Sequence, residues 1–314
     1  MLGRKSQQKK QHGLYLTIDG IAVAEIEQSG DNPPGLKSCA FITATEATDR
    51  LTQLVKYIGK NNLKKQSCVV VLDETQYNLI QLPAPPVADD ELKSAVRWSI
   101  KDLINYPVED AIIDVFRVPV QEHREEKIYV VAAPKDKVQK TVDFIRKTGL
   151  RLDAIDIEEL SLGIIIEQMN DHQRGVAVLH LGHLVGSISL FSNSALYSSR
   201  KIDTGLNRLE EIQAQGATSA AMDQLYESII LELQRSLDFY ESEFARPAIT
   251  KLVVSPRHPV LQGFCDYASS HSGLTVELIN IAQVFTDSTA LNDENQARCL
   301  LAIAAATRKI KTAA

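Results

Sequence analysis

Gly13-Leu14-Tyr15-Leu16-Thr17-Ile18-Asp19-Gly20 is the stretch that decides the fold, because it opens a pattern of strands that the chain later repeats. Between residues 13 and 43 the sequence predicts three short strands, at residues 14–19, 21–28 and 38–43. The dipeptide Asp19-Gly20 and the glycine- and proline-rich segment 30–35 are turn chemistry that separates these strands. A helix over about residues 46–59 and a buried strand at residues 68–72 are predicted to follow.

The same order of elements recurs in the second half of the chain. From Gly175 onward the sequence predicts strands at residues 176–181, 185–191 and 195–202, followed by a long helix with its apolar residues on one stripe. Strands at 252–255 and 275–279, a helix at 259–270 and a final alanine-rich helix at about 295–308 complete this half. Three meandering strands followed by alternating helices and strands, occurring twice, indicate an internal duplication and predict an α/β protein with the actin-like ATPase fold.

A small additional α/β unit interrupts the first copy. Residues 74–153 predict the order strand, helix, strand, strand, helix, strand, with a break at Pro83, Pro85 and Pro86 before an amphipathic helix. The sequence therefore predicts four parts. They are a basic flexible tail at residues 1–12, a first lobe at 13–73 plus 154–173, the inserted subdomain at 74–153, and a second lobe at 174–314.

The composition indicates a globular protein without a membrane span. The 314 residues are 44% hydrophobic and 24% charged, and no apolar run approaches the roughly 20 residues that a membrane-spanning helix needs. The N-terminus is basic but lacks the apolar stretch of a signal peptide, so we expect a cytoplasmic protein whose tail has the charge to touch an anionic membrane. The net charge of -6 argues against general nucleic-acid binding, and the four scattered cysteines predict buried thiols rather than a disulfide or zinc framework.

Several linked motifs in the inserted subdomain and in the second half are specific enough to suggest a family. They are Leu82-Pro83-Ala84-Pro85-Pro86, Asp90-Glu91-Leu92-Lys93-Ser94-Ala95-Val96-Arg97-Trp98, Tyr106-Pro107-Val108-Glu109-Asp110, Gly149-Leu150-Arg151-Leu152-Asp153 and Glu232-Leu233-Gln234-Arg235-Ser236-Leu237-Asp238-Phe239-Tyr240. Together they resemble the PilM family of type IV pilus assembly proteins, over nearly the whole chain. Within that family the resemblance is greatest to the MshI branch, which serves the mannose-sensitive haemagglutinin (MSHA) pilus.

This resemblance implies a cytoplasmic scaffold associated with the cytoplasmic face of the inner membrane, at the assembly platform of a pilus. PilM-like proteins hold the cytoplasmic tail of a single-span inner-membrane protein, PilN or its counterpart, in a groove between the insert and the first half. An extended tail would bind there by strand addition. We expect the partner-binding residues in the segment between Pro83 and Trp98, although the single tryptophan is itself predicted to belong to the core. Other pilus assembly proteins are expected as further partners.

The resemblance also implies where a nucleotide cleft would lie. An actin-like ATPase needs one tight turn in each half, whose amides meet the phosphates, and acidic residues nearby that hold Mg²⁺ through water. The positions that match the turns and the helix beside adenine are Thr17, Asp19, Gly20, His180, Gly182, Glu232, Arg235 and Ser236.

Two departures from the family pattern predict that this nucleotide site is degenerate. His180 stands where a metal-facing carboxylate belongs, and imidazole is a poor ligand for hydrated Mg²⁺. The segment Ser255-Pro256-Arg257-His258-Pro259 replaces a Gly-Gly turn, and its prolines remove amide donors. We therefore expect no catalysed reaction, no cofactor and no metal ligands.

Other interpretations stay open from the sequence. One is an ATP-binding actin-like switch, or slow ATPase, that closes on Mg²⁺-ATP and controls pilus assembly, and another is an actin-like polymer. The acidic cluster of Asp153, Asp156, Glu158 and Glu159 is interpreted as a solvated edge rather than as paired catalytic carboxylates.

Overall fold

The computed structural model describes residues 9–28, 34–120, 124–169, 175–215, 219–285 and 291–309. Its strands are β1 (Lys9–Leu16), β2 (Gly20–Gln28), β3 (Gly35–Thr43), β4 (Ser67–Leu72), β5 (Asn78–Pro83), β6 (Ala111–Arg117), β7 (Lys127–Pro134), β8 (Arg151–Ile157), β9 (Val176–Leu181), β10 (Gly186–Ser192), β11 (Ala195–Ile202), β12 (Lys251–Ser255) and β13 (Thr275–Leu278). Its α-helices are α1 (Ala47–Lys60), α2 (Leu92–Ile100), α3 (Lys135–Thr148), α4 (Glu158–Gln168), α5 (Leu206–Ala214), α6 (Ser219–Phe244), α7 (Gln262–His271) and α8 (Asp293–Thr307).

Two five-stranded sheets of one plan make up the two lobes. The first has the strand order β3-β2-β1-β4-β8 and the second has the order β11-β10-β9-β12-β13. In each, the first three strands form an antiparallel meander and the last two run parallel to its innermost strand. The run Cys68-Val69-Val70-Val71 is buried throughout because helices or the other lobe cover both faces of this sheet. The repeated order confirms the predicted actin-like ATPase fold.

The insert is a three-stranded sheet with one helix on its outer face. The strand order is β5-β7-β6, all antiparallel. Helix α2 covers one face through Leu92, Val96 and Ile100, which recur every four residues and are buried. Further along the chain, Gly149 caps α3 with a φ of 83°, in the left-handed region that favours glycine.

Helix α3 packs as part of the first lobe, which differs from the predicted insert boundary at residue 153. Its Ile145 is fully buried in one apolar cluster with Leu54 and Ile58 of α1. Strand β8, which begins at Arg151, is likewise a strand of the first sheet. The physical reason is that α3 needs an apolar surface to cover, and the first sheet supplies it.

The predicted basic tail at residues 1–12 is wrong for its last four residues. Strand β1 already begins at Lys9, and Gln11 and His12 are buried. His12 Nδ1 lies 3.1 Å from the carbonyl oxygen of Ser67 on β4. Because this polar residue has partners inside the sheet, its polarity does not end the strand. Residues 1–8 of the predicted tail lie outside the described residues.

Helices α4 and α5 have no counterpart among the predicted elements. Helix α4 is buried on almost every side, with Leu162, Ile165 and Ile166 in the main core, so it lacks the polar face that makes a helix visible in a sequence. Helix α5 has nine residues. No helix in the described part of the chain is both long and apolar enough to span a bilayer.

The C-terminal helix α8 packs against the first lobe, although the sequence predicts residues 174–314 as the second lobe. It contacts β1, β2, β3 and β4. The approach is closest at Gly13, where a Cβ atom would fall 1.9 Å from the carbonyl oxygen of Ala302 and 2.5 Å from the amide nitrogen of Ala306. Only glycine on the strand, facing alanines on the helix, permits this separation.

We predict that Gly13→Ala destabilises the protein by about 3 kcal/mol or more, because the new methyl group must push α8 away from the sheet. Chemical denaturation monitored by circular dichroism would measure the change. The control is Gly59→Ala in α1, where an added Cβ meets nothing within 4 Å, and which should change stability by at most about 1 kcal/mol. Equal stability of wild type and Gly13→Ala would contradict the close contact.

Candidate functional site

A cavity of about 520 Å³ lies between the two lobes. Its walls come from the β1–β2 turn, the β9–β10 turn, the segment after β4, the segment after β12 and one side of α8. Four of the predicted nucleotide-cleft residues meet here, namely Thr17, Asp19, His180 and Gly182. The duplicated fold thus brings together two turns that are more than 160 residues apart in the sequence.

The first turn is closed by its own hydrogen bonds. The Thr17 amide donates to the Gly20 carbonyl oxygen at 3.0 Å, and the Thr17 hydroxyl donates to Asp19 Oδ1 at 2.7 Å. Gly20 is required at the start of β2, because a Cβ there would lie 2.3 Å from the carbonyl oxygen of Ile42. The turn therefore already uses the Thr17 amide, which a nucleotide would need, and one Asp19 carboxylate oxygen, which its metal would need.

The other carboxylate oxygen of Asp19 is held by a guanidinium group. Arg298 of α8 lies with Nη1 3.0 Å from Asp19 Oδ2, and its guanidinium carbon is 4.4 Å from the centre of the Phe41 ring. Arg50 sits on the same wall and donates to the carbonyl oxygens of Ile18 and Ala44. Neither arginine was foreseen from the sequence, because each reaches the turn from a distant element.

Polar groups of the second turn bind neighbouring elements. His180 is buried, with Nδ1 3.0 Å from the Ser255 hydroxyl, and burial lowers the pKa of His180 to about 4. This imidazole is therefore neutral at neutral pH. The Leu206 amide at the start of α5 donates a hydrogen bond to the Gly182 carbonyl oxygen at 2.8 Å. This helix-terminal amide therefore points at the turn rather than at the cavity.

A pair of buried carboxyl groups lies where the two lobes touch. Glu158 Oε1 accepts hydrogen bonds from the Tyr15 hydroxyl at 2.7 Å and from the Glu74 amide at 3.3 Å. Burial, followed by the neighbouring Glu74, raises the pKa of Glu158 well above its ordinary value. Burial and then Asp73 raise the pKa of Glu74 to about 8, although the Lys201 ammonium opposes this shift. Glu74 is consequently mostly protonated at neutral pH, and burial favours the neutral form of Glu158 as well.

This pair ties the first lobe to the second turn. Glu74 Oε1 would lie only 2.6 Å from a Cβ atom at position 182, so any side chain there would have to displace the Glu74 carboxyl group. His180 Nε2 is 3.9 Å from Glu158 Oε2, but the contact is not an ion pair because His180 is neutral. Glu74 and Glu158 are thus site residues that the sequence interpretation missed.

The interpretation of the acidic cluster as a solvated edge is wrong for three of its four members. Glu158, Glu159 and Asp156 are buried. Glu159 accepts a hydrogen bond from the Tyr77 hydroxyl at 2.5 Å, and Asp156 pairs with Arg308 just beyond α8. Each carboxyl group has a partner from another element, which is why burial is tolerated. The available signal in the sequence was the Glu-Glu pair directly after the buried end of β8.

The structure does not bring the remaining cleft residues to the cavity. Glu232, Arg235 and Ser236 lie on α6 and are absent from the cavity wall. Arg235 and Glu232 form an ion pair at 2.5 Å, and the Ser236 hydroxyl donates to the Glu232 carbonyl oxygen at 2.8 Å. On the side where the adenosine turn was expected, Pro256 and His258 line the cavity. Among the described residues, no three histidine, cysteine or carboxylate side chains are grouped as metal ligands.

The segment between Pro83 and Trp98 is largely a surface of the insert. It contains the last residue of β5, a loop and most of α2. Trp98 is 78% exposed, so its predicted place in the core is wrong. The reason is helical geometry, because Leu92, Val96 and Ile100 occupy the buried face of α2 and Trp98 falls on the opposite one.

The other face of the insert is fastened to the second lobe. The Ser199 amide of β11 donates to the Tyr129 hydroxyl at 2.9 Å, and Gln81 Nε2 donates to the Tyr197 carbonyl oxygen at 2.9 Å. Lys127 forms an ion pair with Glu243 of α6 at 2.5 Å. The insert therefore bridges both lobes, which limits how far they can move apart.

The neutral buried groups predict a decline in stability above pH 6.5. Folded Glu74 keeps its proton up to about pH 8 whereas the unfolded chain releases it near 4.5, so stability falls with rising pH across that window. His180 has the opposite effect between about pH 4 and pH 6.5. Its pKa is lower in the folded protein than in the unfolded chain, so stability rises with pH across that range. Above pH 6.5, of these two groups, only Glu74 still changes the stability. Between pH 6.5 and pH 8 we expect the free energy of unfolding to fall by about 2 kcal/mol because of Glu74 alone.

Urea denaturation at pH 6.5 and at pH 8, at constant ionic strength, measures this loss. Glu74→Gln should reduce the difference between the two pH values, because an amide cannot ionise. Glu210→Gln, which changes an exposed carboxylate at the same cavity, should leave the difference as in wild type. A wild-type protein that is more stable at pH 8 than at pH 6.5 would contradict neutral carboxyl groups at the junction.

Comparison with known proteins agrees with this architecture. The family model described as "Type IV pilus assembly protein PilM" matches residues 41–219, which is more than half of the chain. A solved structure described as "PilM-PilN type IV pilus biogenesis complex" superposes with a TM-score of 0.71 at 19% identity, covering 94% of this chain and 97% of the other. Ethanolamine utilization protein EutJ from Carboxydothermus hydrogenoformans superposes with a TM-score of 0.51 at 10% identity, covering 97% and 91% respectively. With a family match over more than half of its length, this chain belongs to the family of the type IV pilus assembly protein PilM.

Proposed function

We propose that the chain is a cytoplasmic scaffold of the inner-membrane assembly platform of a type IV pilus, in the MshI branch that serves MSHA-type pili. In this proposal it binds the cytoplasmic tail of a PilN-like single-span membrane protein and is held at the cytoplasmic face of the membrane by that partner. The observation that carries the proposal is the likeness, over 94% of this chain, to the protein solved as a PilM-PilN complex. Other pilus assembly proteins are further partners in this proposal.

An open strand edge on the insert supports a peptide-binding role. Within the described residues, β6 pairs with β7 and has no strand on its other side. Ile113 and Val115 of β6 face α2, so Ile112 and Asp114 face the other way, and Ile112 is 46% exposed. Phe116, on this same side, packs against the apolar cluster of Tyr77, Ala133 and Ile157, where the insert meets the first lobe. An extended tail added along β6 would gain main-chain hydrogen bonds and an apolar contact with Ile112.

The state of the cleft supports a scaffold without catalysis. Asp19 is paired with Arg298, His180 is neutral and buried, and the Thr17 amide donates within its own turn. A nucleotide with Mg²⁺ would have to break these contacts before gaining its own. We infer that the nucleotide site is degenerate, that the chain is not an enzyme and that it needs no cofactor.

The second candidate is an ATP-binding switch, or slow ATPase, that controls pilus assembly. It is favoured by one observation, which is that a cavity of about 520 Å³ persists between the two turns. If Mg²⁺-ATP bound there, Thr17, Gly20 and Gly182 would lie nearest its phosphates and Asp19 nearest its metal.

We predict that a synthetic peptide copied from the N-terminal tail of the PilN-like protein binds the folded chain. Ile112→Asp should weaken that binding at least tenfold, because it places a charge at the apolar contact beside β6. Isothermal titration calorimetry gives both affinities. Leu103→Asp is the matched control, since Leu103 is a similarly exposed residue that follows α2, and it should bind like wild type.

Trp98→Ala tests the predicted segment between Pro83 and Trp98 in the same assay. An unchanged affinity would exclude this exposed ring from the interface, while the β6 edge would remain. If the wild-type chain, shown to be folded, does not bind the peptide at all, the scaffold proposal loses its main function.

We predict that titration with a fluorescent ATP analogue and Mg²⁺ gives no saturable binding in the micromolar range, because the Thr17 amide and both carboxylate oxygens of Asp19 are already engaged. Fluorescence anisotropy measures this directly. Saturable micromolar binding that Asp19→Asn weakens would instead favour the switch. Binding that Asp19→Asn does not change would come from a surface outside the cleft.

A further inference from the structure

Strand β3 and helix α8 meet along a seam that contains two cysteines. Cys39 and Phe41 lie on the same face of β3, two residues apart. Phe41 meets the Arg298 guanidinium at 4.4 Å, and the neighbouring residue of α8 is Cys299. Cys39 packs against the apolar cluster that contains Cys299. Two successive positions of the helix thus face two alternate positions of the strand.

Helix α8 packs against β3, and Cys39 packs against the buried cluster that contains Cys299. Cys299 is fully buried, whereas Cys39 is half-buried. A hydrogen bond between the two thiols lowers the pKa of Cys39 and raises the pKa of Cys299. Cys39 is consequently the sulfur with more thiolate character and the one that small solutes can reach.

The other two cysteines lack both properties. Cys68 is buried in the core between the first sheet and α1, and burial raises its pKa to about 12. Cys265 is buried on α7, where burial also raises the pKa to about 12. Neither has a second cysteine as its hydrogen-bond partner.

We propose that Cys39 and Cys299 form a peroxide-sensitive modification site, in which oxidation joins them in a disulfide that fastens α8 to β3. The linkage would hold the helix that carries Arg298 in place beside Asp19. It would therefore fix the wall of the interlobe cavity through a covalent bond. This inference does not depend on the proposed scaffold function.

The reaction needs one equivalent of a hydroperoxide. The Cys39 thiolate attacks a peroxide oxygen, the O–O bond breaks, and a sulfenic acid forms on Cys39 as hydroxide leaves and takes up a proton. The Cys299 sulfur then attacks the Cys39 sulfur, the S–O bond breaks, and a second water leaves with the thiol proton. In total two thiols lose two electrons, two protons are transferred, and one hydrogen peroxide becomes two waters.

The test treats the folded full-length chain with a small excess of hydrogen peroxide and then alkylates the remaining thiols under denaturing conditions. We expect mass spectrometry to show a monomer lighter by two hydrogen masses before alkylation, with two of its four cysteines alkylated. Non-reduced peptide mapping should join the Cys39 peptide to the Cys299 peptide. The melting temperature of the oxidised protein should be higher than that of the reduced protein, because the bridge links distant parts of the chain.

Variants assign the effect to this pair. Cys39→Ser should remove both the protection from alkylation and the rise in melting temperature, whereas Cys265→Ser should keep them. The mapping on wild type gives the answer even if a cysteine variant fails to fold. Four alkylatable thiols after oxidation, Cys39 found as a sulfinic acid with Cys299 free, or a dimer linked through Cys39 would each overturn the proposal.

Discussion

The contact between the backbone of α8 and strand β1 at Gly13 is the constraint on which most of this structure depends. Helices normally pack on sheets through side chains, but here the glycine and the alanines opposite bring the two backbones together. This approach draws the last helix of the chain onto the first sheet, although the rest of the second half forms the other lobe. The two lobes are thereby joined by packing as well as by the chain itself.

The position of α8 then determines the chemistry of the cavity. Arg298 reaches Asp19 and Phe41 only because its helix lies against the first meander. One end of the helix is further tied to the segment after β12 by the Arg257–Asp293 pair at 2.8 Å, and beyond its other end Arg308 pairs with the buried Asp156. Removing a carboxylate from water is costly unless a cation or donor accompanies it, so Arg308 makes the burial of Asp156 tolerable.

The buried carboxyl groups at the junction between the lobes are accommodated in a different way. Burial raises the pKa of both Glu74 and Glu158, and the Lys201 ammonium offsets only part of the shift of Glu74. Neutral carboxyl groups can donate as well as accept hydrogen bonds, which suits a site enclosed by Tyr15, His180 and the Gly182 turn. Together with the contacts of Tyr129 and Lys127 to the second lobe, this junction favours one relative position of the lobes. A fixed arrangement is consistent with a scaffold that presents an open strand edge.

The order of elements, the duplication and the family could be inferred from the sequence, because local periodicity, turn residues and linked motifs are all contained in short stretches. Thr17, Asp19 and Gly182 could be placed in the cleft for the same reason. The sequence could not reveal that Trp98 is exposed, that Glu158 is buried, or that Glu232 and Arg235 lie away from the cavity, since each depends on which face another element covers. It also could not reveal Arg298 as the partner of Asp19. The sequence by itself determined the strands, the turns and most of the helices. The partners of the buried charges were decided only by the tertiary structure, because electrostatic and packing energies depend on distances between residues far apart in the chain.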